Sequence, residues 1–132
     1  MKGFDSSPRK KILKDSRYLK FYRDEKYAGN LFKNKKIKEA KNLYLKLLKN
    51  GYVKSNIFLS LGFIEISEKN YKEAIYYLTK AKSLKKEINF ELLFGLVNCH
   101  LLLKEIKKAR LILDEAIFNN SNSELLIFNY AK

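Results

Sequence analysis

Three places in the sequence set ionisable side chains next to each other. Cys99-His100 joins the single cysteine to the single histidine, and a thiol beside an imidazole is the pairing a cysteine nucleophile needs. Both residues fall in a stretch that reads as helix, where neighbours point about 100° apart and do not face each other. The pattern predicts a buried cysteine and a partly exposed histidine. Asp24-Glu25 and Asp114-Glu115 pair carboxylates, but carboxylate catalysis needs two groups aimed at one substrate. Adjacent helical carboxylates diverge, so these are expected to offset nearby lysines. Gly3, Gly29, Gly51, Gly62 and Gly95 stand apart and form no phosphate-cradling loop. One His and one Cys leave no metal cluster. The sequence therefore predicts no enzyme, no cofactor and no metal.

Basic residues carry the other possible chemistry. The net charge is +14, and 24 of the basic residues are Lys against 4 Arg. Residues 1–54 hold 17 Lys/Arg and 5 Asp/Glu, whereas residues 55–132 hold 11 and 9. The basic front offers Arg9, Lys10, Lys11, Lys14, Arg17, Lys35, Lys36, Lys38, Lys41, Lys46 and Lys49 to nucleic acid, an anionic membrane or an acidic partner. Tyr18, Phe21 and Tyr22 lie near these charges, where they suit stacking on bases and core packing equally. Lysine abundance also follows from an A/T-rich coding composition, and Arg, the residue suited to bidentate phosphate contacts, is scarce.

A single cysteine excludes an internal disulfide. Met1–Lys20 holds no apolar run of the signal-peptide kind. The most apolar stretch, Phe90–Leu103, contains Glu91, Asn98 and His100 and is shorter than the roughly 18–20 apolar residues of a membrane span. A cytoplasmic protein with no membrane span is the expectation. Scarce Gly and a single Pro disfavour a sheet-rich fold.

The elements emerge from an internal repeat. Ile37-Lys38-Glu39-Ala40 returns as Tyr71-Lys72-Glu73-Ala74 and again as Ile106-Lys107-Lys108-Ala109, at offsets of 34 and 35 residues. Each copy continues with apolar residues four and then three positions on: Tyr44 and Leu47, Leu78 and Ala81, Leu113 and Ala116. Those steps keep one face of a helix. Upstream of each copy lies another helical stretch, roughly Lys20–Lys33, Asn56–Ser67 and Phe90–Leu103. The links between them, Asn34-Lys35, Glu68-Lys69-Asn70 and Lys104-Glu105, are short enough to force antiparallel neighbours. Asn50-Gly51 reads as a helix stop. Ser7-Pro8 reads as the start of a front helix and Ser123 as the N-cap of a last one.

These residues resemble the tetratricopeptide repeat, a helix–turn–helix unit of 34 residues with the pattern W-x2-L-G-x2-Y…A-x3-F…P. Leu61-Gly62, Ala74, Leu78 and Ala81 match it best. Tyr27-Ala28, Ala40, Tyr44 and Leu47 form the first copy, and Leu96-Val97, Ala109, Leu113 and Ala116 the third. The sequence departs from the pattern in lacking the Trp and the closing Pro, in Glu65 at the Tyr position and in Val97 at a small-residue position. The resemblance implies an all-α fold, a right-handed superhelical array of antiparallel helix pairs with about seven or eight helices. Its divisions would be a basic, partly helical extension over 1–20, pairs over about 21–54, 55–89 and 90–122, and a capping helix or further unit over 123–132.

The resemblance also implies a concave groove lined by the first helix of each pair: Tyr22, Gly29, Phe32, Lys33, Asn56, Leu59, Phe63, Ile66, Phe94, Asn98 and Leu101. About half of these are expected to be substantially buried. The family's carboxylate clamp is not implied, because Gly29 and Phe63 stand where its Asn residues would be. In size and groove character the chain looks similar to the small three-unit chaperones of bacterial secretion systems. The function expected is a scaffold that holds a peptide or amphipathic helix of another protein. Nucleic-acid or anionic-surface binding through the basic front is the alternative, and self-association through an apolar end of the array is a third route.

Overall fold

A computed structural model describes residues 16–85, 87 and 89–119. The described residues form six helices: α1 (Ser16–Lys33), α2 (Ile37–Lys49), α3 (Ser55–Ser67), α4 (Tyr71–Leu84), α5 (Phe90–Leu102) and α6 (Ile106–Asn119). The expected count of seven or eight includes helices at the two ends. The front helix from Pro8 and the last helix from Glu124 fall outside the described residues. The chain divides into two compact units, Met1–Val53 and Lys54–Lys132.

Three turns share one hydrogen-bond pattern. Lys36 N–H donates to Leu31 O and Lys35 N–H to Phe32 O. Asn70 N–H donates to Glu65 O and Lys69 N–H to Ile66 O, and Glu105 and Lys104 repeat the pair onto His100 O and Leu101 O. These are Schellman ends, in which the residue after the helix turns left-handed. Lys35, Lys69 and Lys104 take φ of 67°, 62° and 63°. The next residue already starts the following helix: Ala40, Ala74 and Ala109 N–H groups donate to Lys36, Asn70 and Glu105 O. One chain reversal therefore closes one helix and opens the next. The helix stop expected at Asn50-Gly51 is a fourth Schellman end, with Gly51 at φ 89°.

The first unit packs α1 on α2. Ala28, Leu31, Ala40, Tyr44, Leu47 and Tyr52 are buried in it. Tyr18 and Phe21 each lie 5.4 Å, ring to ring, from Tyr52, so both serve the core rather than offering free stacking platforms. The Tyr52 hydroxyl donates to Glu25 Oε1 at 2.7 Å.

The second unit packs α3 on α4, α4 on α5 and α5 on α6, with α3 also touching α5. Its centre is Leu78 of α4, which is fully buried. A methyl group built on Gly62 of α3 would meet Leu78 Cδ2 at 2.6 Å, and one on Gly95 of α5 would meet Leu78 Cδ1 at 3.1 Å. Two glycines on different helices thus make room for one leucine. In the third pair Val97, fully buried, takes the place of Gly62, and Leu113, the counterpart of Leu78, is only half-buried.

Candidate interaction surfaces

The chemical pairs resolve into structural ones. Cys99 is buried, and burial pushes its thiol up to about 11, the opposite of what a nucleophile needs. His100 is also buried, not partly exposed as its position implied. It fills the place of the family's Tyr and turns its ring to the next turn, where Nδ1 lies 2.8 Å from Glu105 Oε1. A carboxylate only accepts, so Nδ1 carries the proton. The His100 hydrogen bond, with Lys108 beside it, holds the Glu105 carboxyl below the usual carboxylate range. Asp24 pairs with Lys20 and Glu115 with Lys82, as expected of charges that offset lysines. No group of His, Cys, Asp and Glu able to hold a metal occurs among the described residues.

The groove residues of the second unit sit on α3 and α5. Asn56, Asn98 and Leu101 are exposed, and Leu59, Phe63, Ile66 and Phe94 are half-buried. None of the seven is fully buried. The two helices meet at Gly95, where an added methyl group would lie 3.4 Å from Phe63 Cε1 and 3.7 Å from Ile66 Cδ1. The absent side chain brings the Phe63 and Ile66 side chains of α3 up to α5. Phe94 stacks on Phe90 at 6.4 Å between ring centroids. Leu59, Ile66 and Phe94 rest one side on the buried cluster of Leu78, Leu92, Leu93 and Leu96. These apolar side chains lie on two neighbouring helices, with an exposed asparagine on each. Glu91 of α5, at the repeat position of Asn56, is exposed and was not anticipated. The 35-residue offset between Asn56 and Glu91 was the signal that could have found it.

In the first unit Tyr22 and Lys33 are exposed, and Gly29 and Phe32 are half-buried. The basic candidates Arg17, Lys35, Lys36, Lys38, Lys46 and Lys49 are exposed, and Lys41 is half-buried. Arg9, Lys10, Lys11 and Lys14 lie outside the described residues. Apolar exposure also occurs on α6, at Leu111 and Phe118 seven residues apart, which is where the self-association reading would act. A pocket of about 370 Å³ opens among Ser55, Ala81, Lys85, Asn89, Leu92 and Ala116, and the Lys82–Glu115 ion pair also lines it.

No described helix is long and apolar enough to cross a membrane. A search of the curated proteins gives no match to the chain. Residues 65–126 match the family model of the tetratricopeptide repeat. That segment runs from the end of α3 through α4, α5 and α6, the helices that carry the Leu78 and Gly95 packing. Tetratricopeptide repeats generally mediate protein–protein interactions, and the fold is typically a non-enzymatic scaffold. The match covers a little under half of the chain and supports a tetratricopeptide repeat family assignment, resting on residues 65–126.

Proposed function

We propose that this protein is a scaffold or chaperone-like module that holds a peptide or amphipathic helix of a partner protein against α3 and α5. The observation that carries the reading is the strip of Leu59, Phe63, Ile66 and Phe94. Leu59, Ile66 and Phe94 are packed on the core, Phe63 lies against α5 at Gly95, and all four are still partly open to solvent. Apolar side chains that are held rigid on one side lose little further entropy when a partner covers the other. Asn56, Asn98 and Glu91 line the edges with hydrogen-bonding groups, the arrangement of an apolar centre and a polar rim. An amphipathic helix or an extended segment with regularly spaced apolar residues meets such a strip.

The test is selection of binding peptides from a displayed library of random segments, followed by titration of the selected peptide. The variant Phe63→Ser/Phe94→Ser should weaken binding by about two orders of magnitude, since two central anchors at about 1–2 kcal/mol each are lost. Helicity measured by circular dichroism should stay unchanged. Undiminished binding by a folded double variant would rule out the strip as the site.

A further inference from the structure

The solvent face of α2 is a separate feature. Ala40, Tyr44 and Leu47 turn inward and are buried. Opposite them Lys38, Asn42, Leu45 and Lys49 follow one another at steps of four, three and four residues, which is one helical stripe. Lys41 and Lys46 flank it. Lys38 and Lys49 are eleven residues apart, roughly 16 Å along the axis. The acids of α1 are engaged elsewhere, Asp24 with Lys20 and Glu25 with the Tyr52 hydroxyl. Glu39 lies about 100° round the helix from Lys38. At the middle of the lysine stripe Leu45 remains 37% exposed.

We infer that this face docks an acidic segment of a partner protein, with lysines taking its carboxylates and Leu45 an apolar side chain set among them. The inference rests on the reading that the chain binds protein segments, but it uses a different surface. Charge complementarity selects an anionic partner, and the other residues of the stripe select its class. Phosphate recognition favours the guanidinium fork, and α2 has no arginine. Single-stranded nucleic acid stacks on open rings, and the one aromatic ring of α2, Tyr44, is buried. A phosphate backbone also has no apolar group to place on Leu45. A helix lying in a membrane surface needs a broad apolar face, and one leucine among lysines is not one. A protein segment supplies both carboxylates and an apolar side chain at helical or extended spacing.

The experiment titrates the full chain with a fluorescent peptide of about 14 residues, three to four helical turns, carrying glutamates and one leucine on a single face. Lys38→Glu/Lys49→Glu is compared with Lys72→Glu/Lys107→Glu, two exposed lysines of the second unit, so that net charge changes equally. The first variant should weaken binding about tenfold or more and the second less than about twofold, with Leu45→Ala giving roughly threefold. Equal losses in both lysine variants would mean attraction by net charge alone and overturn the inference. No detectable binding of the peptide would overturn it as well. Tighter binding of a single-stranded or duplex DNA, or of phosphatidylserine vesicles, would overturn it in favour of those partners. Loss with Phe63→Ser/Phe94→Ser but not with Lys38→Glu/Lys49→Glu would overturn it while sustaining the α3 and α5 strip.

Discussion

Glu65 and His100 occupy corresponding places in successive pairs, and each is tied to the residue five positions on. Asn70 Nδ2 donates to Glu65 Oε1 at 3.0 Å, and His100 Nδ1 donates to Glu105 at 2.8 Å. In the first pair Leu31 holds that place and Lys36 the other, with the backbone bond alone. A buried polar side chain is tolerated here because the turn supplies its partner. For Glu105 the folded chain favours the ionised carboxylate. Its contribution is present above the unfolded carboxylate pKa and is lost as pH falls through the lowered folded value. Melting temperature should thus drop more steeply between pH 6 and about pH 3 in the native chain than in Glu105→Gln. Parallel curves would dismiss the link. The glycines make a second prediction of opposite signs. Gly62→Ala meets Leu78 at 2.6 Å, and overpacking of about 1–3 kcal/mol outweighs the helix propensity gained. Gly29→Ala meets only Tyr44 Oη at 3.7 Å and should stabilise by roughly 0.5–1 kcal/mol. Denaturant unfolding of both variants checks it. The small residues Ala28, Ala40, Gly62 and Ala74 were legible because the repeat sets them at one register. The burial of His100 was not, since the bond that satisfies it comes from a turn residue whose direction no periodicity records.

At the scale of the elements, three helix pairs reverse through the same Schellman turn. The left-handed residue is Lys35, Lys69 or Lys104, where glycine is the residue of least strain. A side chain in that conformation costs about 1–2 kcal/mol. Lys69→Gly should therefore raise stability by about 0.5–1 kcal/mol, after the extra freedom glycine has in the unfolded chain is offset. Lys72→Gly, inside α4, should lower it by about the same amount. A loss of stability in Lys69→Gly, measured by thermal unfolding, would contradict the turn geometry. The helices themselves were legible from the period of 34 and 35 residues and the apolar steps of four and three. The left-handed lysines were not, because lysine carries no local preference for that conformation. The hydrogen bonds of two adjoining helices impose it.

Among the described residues a basic helix pair forms the first unit and four helices the second, and the two candidate surfaces fall one on each. Charge division was plain from the sequence, since it needs only counting. The apolar strip was legible in identity, because the family pattern places first-helix residues at one register. Its degree of exposure was not, because that depends on Gly95 letting Phe63 and Ile66 settle against α5 without burying them. We propose that partner segments bind on that strip. The direct measurement is mapping of amide chemical-shift changes by nuclear magnetic resonance as a selected peptide is added to the full chain. The largest shifts are expected at Asn56, Leu59, Phe63, Phe94 and Asn98, with small shifts at Lys72, Tyr76 and Lys80 on the exposed side of α4. Shifts concentrated on α4 or α6, with α3 and α5 unmoved, would contradict it.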